Sequence, residues 1–393
     1  MKYTRVRKLD NTPGRRILVI SDIHSNRDFL LALLEQAGFG PEDLLILLGD
    51  FVEKRAGGLG TLRTIMELAR RENVIPLLGN CDDLTVNFAD GCDDIDPGFY
   101  EWYFQRWGEK CLLVEMAREA GLSLGDRESY PALCQALNAR FAPEIAFLRS
   151  LPHIAVSDRW LFVHGGVPRE DRLEELEGWR CMKNDDFLNQ GHAFHRWCVV
   201  GHWPVTLYDP IIPSARPLVE WQRHIISIDG GCSLKLDGQL NALILPGDGS
   251  EDFSYVSWDG LPQVIALDSQ APSVPSINVR YAHNQVDVLR EGEEFCRCRH
   301  RESGYELDIL TEFLVWKEDG VYCEDATDYH LPVRPGERLS VLRRTSRGLL
   351  AKRDGVTGWY TGRTAPAPPL SAPCSPIPLR RKGEKGFGSE KRD

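Results

Sequence analysis

Short apolar runs alternate with helix-length segments between about residue 16 and residue 245. The runs contain almost no polar positions, as is typical of strands that are buried on both faces. They predict strands at residues 17–20, 44–48, 74–78, 160–163, 198–200 and 225–228. Residues 27–36 and 59–71 carry apolar side chains at helical spacing. This alternation predicts an α/β domain.

Two other regions have a different pattern. Residues 84–150 are rich in aromatic side chains and predict a helical insertion that packs as a cap. After about residue 265 the predicted strands are short, and glycine and proline recur between them. The chain therefore divides into a domain of residues 1–265 with an insertion at 84–150, and a β-rich region at 266–363.

The end of the β-rich region resembles a bacterial Src-homology-3 type barrel. Residues 332–363 form short predicted strands with glycine-bearing turns and end on Gly358-Trp-Tyr360. Aromatic side chains of such barrels can bind an extended proline-rich peptide, so Trp359 and Tyr360 are either groove residues or core residues. Residues 364–393 are proline-rich and then basic, which predicts a disordered tail and a candidate peptide ligand for this small barrel domain.

The composition is that of a soluble globular protein, with 42% hydrophobic and 27% charged residues. The net charge of −11 argues against a role as a nucleic-acid scaffold or a binder of anionic membranes. No run approaches the ~18 apolar residues that cross a bilayer, and the N-terminus carries no apolar signal region. We therefore expect a cytoplasmic protein whose 11 cysteines are reduced thiols.

Each predicted strand is followed at once by side chains that can bind metal. The segments are Asp22-Ile-His24, Gly49-Asp50, Gly79-Asn80-Cys81-Asp82, His164-Gly-Gly166, Gly201-His202 and Asp229-Gly-Gly231. Ligands of α/β sheets bind outside the carboxyl ends of the strands, so we expect these groups to converge. Oxygen and imidazole donors suit manganese, iron or zinc, and their number suits two ions better than one. Such a pair generates hydroxide at neutral pH and holds the oxygens of a transferred phosphoryl group.

The ordered set resembles the calcineurin-like metallophosphoesterases, and within them the branch of serine/threonine protein phosphatases and bacterial diadenosine tetraphosphatases. The resemblance covers about residues 16–245 and implies a four-layer fold built on a β-sandwich. It also implies two divalent ions, manganese first with iron or zinc as alternatives, that share the bridging carboxylate of Asp50. The ligands of the two ions would be Asp22, His24, Asp50, Asn80, His164 and His202.

The proton donor departs from the family pattern. The protein phosphatases of the family usually carry a histidine after the asparagine, where this chain has Cys81. A thiol with a pKa of ~8.5 is a poorer proton donor than imidazole near neutrality. Cys81 resembles the residue of certain phosphodiesterase relatives, and Asp82 is the alternative acid.

The phosphate-binding cations depart from the pattern as well. The Asp-Arg-Gly that usually follows Gly-Asp-x-x is replaced by Glu53-Lys-Arg, so Lys54 or Arg55 would bind the phosphate. A second arginine is expected before His202, and Arg180 resembles it, although a solvated surface arginine is an equal interpretation. An arginine in that place would bind phosphate oxygens through its bidentate fork.

These features predict a serine/threonine-type protein phosphatase that acts on a phosphorylated protein or a small phosphoester through a metal-activated hydroxide. A dinucleoside polyphosphate hydrolase or a phosphodiesterase is the alternative, favoured by Cys81 and by aromatic residues that could stack on a base. A catalytically weak binding scaffold is a second alternative from a different class. The presence of all six ligand-type residues counts against the scaffold.

Overall fold

The computed structural model describes residues 3–10, 14–91, 96–368 and 375–381. The α-helices are α1 Arg27–Gln36, α2 Gly58–Leu68, α3 Asn80–Asp90, α4 Pro97–Trp107, α5 Leu112–Glu119, α6 Tyr130–Arg140, α7 Ala142–Ser150 and α8 Gly178–Met182. Short 3-10 helices lie at Gly108–Lys110, Arg127–Ser129, Leu173–Glu175, Phe187–Gln190, Val205–Tyr208 and Thr311–Phe313. Of the helices that the structure describes, none is long and apolar enough to cross a membrane.

The strands fall into an N-terminal and a C-terminal group. The first group is β1 Val6–Lys8, β2 Ile17–Ile20, β3 Leu44–Leu47, β4 Val74–Pro76, β5 Ile154–Val156, β6 Trp160–Val163, β7 Trp197–Val200, β8 Leu218–Glu220, β9 Ile225–Ser227, β10 Leu240–Leu245, β11 Ser254–Trp258 and β12 Gln263–Ala266. The second group is β13 Asn278–Val279, β14 Gln285–Arg290, β15 Phe295–His300, β16 Glu306–Leu310, β17 Leu314–Lys317, β18 Gly320–Cys323, β19 Ala326–Thr327, β20 Arg338–Thr345, β21 Gly348–Arg353, β22 Val356–Tyr360, β23 Thr364–Pro366 and β24 Ile377–Pro378.

Two six-stranded sheets pack face to face in the N-terminal part of the chain. The first sheet has the order β1-β5-β6-β7-β9-β8, and the second has the order β24-β11-β10-β2-β3-β4. Val19 and Phe162 meet between the sheets, whereas Ile20 packs on the helical side of the second sheet. Successive side chains of a strand point to opposite faces, so apolar runs without polar positions suit sheets covered on both faces. The predicted α/β class is confirmed.

Helices α3 to α7 occupy the segment where the sequence predicts a helical insertion. Its aromatic run is mostly core: Tyr100, Tyr103 and Phe104 are buried, and the ring of Tyr100 meets Phe88 edge to face at 4.8 Å. Trp102, on the opposite side of α4, is 55% exposed. The insertion is therefore held by its own apolar core, which is continuous with the helices over the second sheet.

The C-terminal region is strand-rich, as predicted, but its described residues form no closed barrel. One five-stranded sheet has the order β16-β15-β14-β18-β17 and the other has the order β22-β21-β20-β12-β23, so each has two open edges. In the predicted barrel segment, β20 pairs with β12, and β12 pairs in turn with β23. Both β12 and β23 lie outside residues 332–363, and they extend the sheet instead of closing it. Tyr360 is fully buried core, while Trp359 is partly buried against Phe295 at 5.8 Å.

The expected disordered tail contains two paired strands. β23 pairs with β12, and β24 pairs with β11 at the edge of the second sheet. The expectation of disorder is therefore wrong for residues 364–368 and 375–381, because an open strand edge offers backbone partners that composition alone does not reveal. The remaining part of the predicted tail lies outside the described residues.

The cysteines are mostly, but not all, the reduced thiols that the sequence predicts. Within the described ranges, the free cysteines are all buried and are Cys81, Cys111, Cys181, Cys198, Cys232, Cys296, Cys298 and Cys323. Cys134 of α6 is disulfide-bonded, so the prediction is wrong at this residue.

Candidate metal centre

Side chains that can bind metal come from the ends of strands of both sheets and meet at one edge of the sandwich. β2, β3 and β4 run parallel in the second sheet, and β6, β7 and β9 run parallel in the first. Their carboxyl ends bring two groups of ligand atoms together, each group lying within 4.8 Å. One group is Asp50, His164 and His202, and the other is His24, Asp50 and Cys81. Asp50 belongs to both groups.

Asp50 is buried at the centre of this arrangement. Its Oδ1 lies 3.3 Å from Nε2 of His164 and accepts the Cys81 backbone N–H at 2.8 Å. Its Oδ2 lies 3.9 Å from Nε2 of His24. Burial acts to raise the pKa of Asp50, but the charges of the two imidazoles outweigh burial and hold that pKa well below its usual range. Asp50 is thus a carboxylate that can bridge two cations.

The two buried histidines are oriented through backbone carbonyls. Nδ1 of His164 lies 2.9 Å from the Leu48 carbonyl oxygen, and Nδ1 of His24 lies 3.3 Å from that of Val52. An Nδ1–H that donates to a carbonyl leaves the lone pair of the ring on Nε2. Both Nε2 atoms face Asp50, which is the orientation that a metal ligand requires.

The surroundings of His164 show that a positive charge belongs in this cluster. Its Nε2 lies 3.2 Å from Oδ1 of Asn80 as well as 3.3 Å from Oδ1 of Asp50, so three electron-pair donors face one another. Burial acts to lower the pKa of His164, but the carboxylates of Asp50 and Asp22 outweigh burial and raise it to about 9. Either a proton on the ring or a metal ion between the donors satisfies this geometry.

Among the described residues, three buried carboxylate oxygens lack a hydrogen-bond partner, and two of the three belong to the strand-end groups. These two are Oδ1 of Asp22 and Oδ2 of Asp229, and the third is Oε2 of Glu53. Oδ1 of Asp22 lies 3.8 Å from Nε2 of His24, while its Oδ2 accepts the Ser21 hydroxyl and the His202 backbone N–H. A buried charge without a partner costs several kcal/mol unless a cation meets it. The residues present therefore fit divalent metal ions.

Four of the predicted ligands hold a strained backbone. Asp22, His24, Asp50 and His202 have φ values of 55°, 45°, 53° and 66°, in the left-handed region that non-glycine residues rarely adopt. Such strain clusters where the surrounding structure fixes a functional geometry. Gly201 lets the two sheets approach here, because a Cβ at this position would overlap the Ser21 hydroxyl and the Asp22 carboxylate. The strand ends are thus shaped to turn side chains inward.

The structure separates the two candidate acids, Cys81 and Asp82. The Cys81 thiol is buried beside His24 and Asp50, and burial together with the Asp50 charge raises its pKa and keeps it protonated. The Asp82 carboxylate accepts the backbone N–H groups of Phe51 at 2.9 Å and Gly79 at 3.1 Å. Asp82 therefore braces the loops around the centre, while Cys81 lies within it.

The candidate cations lie in different settings. The Arg180 side chain is 83% exposed and pairs with Glu177 at 3.1 Å, and Arg55 is also exposed. The ammonium of Lys54 lies 3.9 Å from the ring centroid of Trp107. Of these three, only Lys54 is partly buried and held by an aromatic ring.

Sequence reasoning missed two residues beside His202. Nε2 of His202 lies 2.8 Å from Oδ1 of Asp185 and 3.3 Å from the Lys183 ammonium. The His202 hydrogen bond and the Lys183 ammonium hold the pKa of Asp185 well below its usual range. Their only signal in the sequence is their position in the loop before His202, where Arg180 was the residue expected to act.

A family model described as calcineurin-like phosphoesterase matches residues 15–209. A candidate diadenosine tetraphosphatase of known structure is 20% identical, with coverage of 66% of this chain and 100% of the other and a TM-score of 0.41. A protein serine/threonine phosphatase from Saccharomyces cerevisiae is 14% identical, with coverage of 66% and 85% and a TM-score of 0.39. A metallophosphoesterase from Sphaerobacter thermophilus is 18% identical, with coverage of 63% and 89% and a TM-score of 0.33.

These structural likenesses are too weak to indicate a substrate, and a search of curated proteins found no significant match. The family match spans the strand ends from Asp22 to His202 whose side chains converge. Residues 15–209 are therefore a calcineurin-like metallophosphoesterase domain, and the chain is a phosphoric ester hydrolase.

Proposed function

We propose that this hydrolase is a serine/threonine-type protein phosphatase with a dinuclear metal centre. The observation that carries the proposal is that Asp50 belongs to two groups of ligand atoms, one on each side of it. Two bound divalent ions would supply a hydroxide at neutral pH and neutralise the phosphoryl oxygens. The proposed ligands are Asp22, His24, Asp50, Asn80, His164 and His202.

Manganese is the ion that we propose first. The donors are carboxylate and amide oxygens together with imidazole nitrogens, a set that suits manganese, iron and zinc more than a thiolate zinc site. The Cys81 sulfur lies within 4.8 Å of ligand atoms of His24 and Asp50. Because the other donors of the centre are oxygens and imidazole nitrogens, we assign Cys81 a proton and not a metal.

We assign Cys81 the role of proton donor to the leaving oxygen. Its thiol lies beside the bridging carboxylate, whereas the oxygens of Asp82 accept backbone N–H groups. A thiol with a raised pKa gives up its proton reluctantly near neutrality. The enzyme should therefore hydrolyse aryl phosphates, which have good leaving groups, much faster than alkyl phosphates.

Lys183 supports phosphate binding on the His202 side of the centre. Its ammonium is 3.3 Å from the His202 ring, whereas Arg180 points to solvent beside Glu177. Lys54 or Arg55 would act from the Asp50 side, following the loop that carries the bridging carboxylate. Together these cations would hold the phosphoryl oxygens while the ester bond breaks.

The second candidate is a dinucleoside polyphosphate hydrolase or a phosphodiesterase. Cys81 favours it, and so do Phe99 and Trp102, two exposed aromatic side chains on α4 that could stack on a base. Most other rings of this segment are buried, which favours the phosphatase. A binding scaffold with weak catalysis is the third candidate, and it has little use for two bound ions.

Hydrolysis assays with added manganese separate these candidates. The substrates are an aryl phosphomonoester, an aryl phosphodiester, a phosphoserine peptide and a dinucleoside tetraphosphate, with Asp50→Asn as the control. If the wild type hydrolyses the monoester and the peptide and Asp50→Asn hydrolyses neither, the result supports the phosphatase. Preference for the diester or the dinucleotide supports the second candidate, and the absence of turnover of every substrate supports the scaffold.

A peptide-binding role for the C-terminal region remains a proposal. Phe295 and Trp359 line a surface cavity of about 250 Å³ together with Arg347, which lies over the Phe295 ring. Aromatic-lined grooves of this kind bind proline-rich segments. Binding of a proline-rich peptide that is lost in Phe295→Ala would support this role, and equal binding would remove it.

A further inference from the structure

The ammonium of Lys54 is stacked on a ring that belongs to the helical insertion. It lies 3.9 Å from the ring centroid of Trp107, the last residue of α4. Trp107 is itself packed against the apolar core of the insertion, so the ring has a fixed position. A free lysine side chain is flexible, and a cation over an indole face loses much of that freedom.

The backbone that carries Lys54 is fixed as well. Glu53 and Lys54 have φ values of 72° and 67°, in the left-handed region. The Glu53 carboxylate accepts the Leu112 backbone N–H at 3.0 Å, and the Ser25 hydroxyl donates to the Glu53 carbonyl at 3.3 Å. Helix α5 thus fixes the backbone next to Lys54, and helix α4 fixes the Lys54 side chain.

Lys54 lies on the loop that follows the bridging Asp50. The Val52 carbonyl oxygen of this loop lies 3.3 Å from Nδ1 of His24, so the loop that carries Lys54 borders the metal centre. An ammonium has three N–H donors, so contact with one ring face leaves donors for a phosphate oxygen.

We propose that Trp107 is a positioning residue that holds the Lys54 ammonium for the phosphoryl group of a dianionic phosphomonoester. The proposal rests on the proposed function and adds that the helical insertion forms one wall of the substrate site. Lys54, and not the exposed Arg55, is then the cation on the Asp50 side. The insertion would set substrate affinity without supplying a reacting group.

The test compares Trp107→Leu, Trp107→Phe, Lys54→Met and the double variant Trp107→Leu/Lys54→Met. Trp316→Leu is the control, because it removes an exposed tryptophan of β17 that has no assigned role. We expect Trp107→Leu to raise KM for an aryl phosphate about 2- to 30-fold with little change in kcat, which is the range of a cation–π contact. Trp107→Phe should keep most of the affinity, and Trp316→Leu should match the wild type.

The double variant separates positioning from a structural effect. If Trp107 acts through Lys54, Trp107→Leu has no further effect on KM in the Lys54→Met background. The same rise in KM in both backgrounds, or no rise in either, overturns the proposal.

If the wild type hydrolyses no substrate, the proposed function fails. Inorganic phosphate then replaces the substrate, and its affinity is measured by calorimetry in the presence of manganese. A loss of phosphate affinity in Trp107→Leu that occurs only when Lys54 is present then supports the proposal that Trp107 positions Lys54. Unchanged phosphate affinity in Trp107→Leu overturns the proposal.

Discussion

The Glu53 carboxylate accepts the backbone N–H of Leu112 at 3.0 Å and so joins the loop after β3 to the first turn of α5. Helix α5 makes the reverse connection, because its Glu115 accepts the N–H groups of Gly58 at 3.0 Å and Leu59 at 2.9 Å. Both carboxylates meet helix N-termini, where N–H groups have no partner within the helix. Hydrogen bonds to α5 thus hold both ends of the segment between β3 and α2, at Glu53 and at the first turn of α2.

Glu53→Gln should become relatively more stable as the pH rises. Burial is the main cause that raises the folded-state pKa of Glu53 from 4.5 to about 7. A raised carboxyl pKa means that Glu53 contributes stability at low pH that is lost as the pH rises through 7. We compare the free energy of unfolding of Glu53→Gln with that of the wild type at pH 5 and at pH 8. The difference should change by about 2–3 kcal/mol in favour of the variant as the pH rises. Urea denaturation at both pH values measures it, and an unchanged difference would contradict it.

Glu115→Ala should loosen the start of α2. The change leaves the N–H groups of Gly58 and Leu59 without their acceptor, which should cost about 1–2 kcal/mol in the free energy of unfolding. Glu119→Ala on the same helix is the control, because its exposed ion pair with Arg63 should contribute under about 1 kcal/mol. Equal losses in the two variants, measured by denaturant unfolding, would show that the cap has no special role.

Lys183→Gln and Arg180→Gln should differ in substrate affinity. Lys183 lies beside His202, so its loss should raise KM for an aryl phosphate about 10- to 150-fold, the range of a charged hydrogen bond. Arg180 is exposed and pairs with Glu177, and its loss should leave KM within about twofold. Steady-state kinetics on both variants decide between the two cations, and a larger effect at Arg180 would restore the assignment from the sequence.

Gly201→Ala should disturb the metal centre, while Gly60→Ala should not. A Cβ at Gly201 would overlap the Asp22 carboxylate, and displaced ligand surroundings cost about 10- to 100-fold in metal affinity. Gly60 lies in α2 with nothing within 4 Å of an added Cβ, so alanine there should stabilise the protein by about 0.5–1 kcal/mol. Metal titration and thermal unfolding measure both effects. Normal metal affinity in Gly201→Ala would show that the close approach at this position is unimportant.

Manganese should stabilise the folded protein through Asp22. A ligand present at 100 times its Kd adds about 2.7 kcal/mol to the free energy of unfolding, which raises Tm. The buried Oδ1 of Asp22 has no hydrogen-bond partner, so Asp22→Asn should lose most of this increase. Thermal unfolding with manganese and with a chelator measures it, and Glu119→Gln should keep the full effect. An equal shift in Asp22→Asn would place the stabilising ion elsewhere.

Local pattern was sufficient for six strands, for helices α1 and α2 and for the helical insertion of the N-terminal domain, but not for β1, β5, β8, β10 and β11 of its two sheets. The predicted strand at 17–20 and the helix at 27–36 have the bounds of β2 and α1, because buried apolar runs and helical periodicity are properties of neighbouring residues. Composition was misleading for the tail, where β24 pairs with β11. That pairing depends on an open edge that lies far away along the chain.

The sequence alone determined which chemical groups follow the strands, and parallel strands explain why they meet at one edge of the sheets. Only the tertiary structure decided how those groups are used. It set Lys183 beside His202 while Arg180 turned to solvent, and it stacked Lys54 on Trp107 of the insertion. These contacts join residues of different elements, and their geometry follows from packing that no local pattern of side chains encodes.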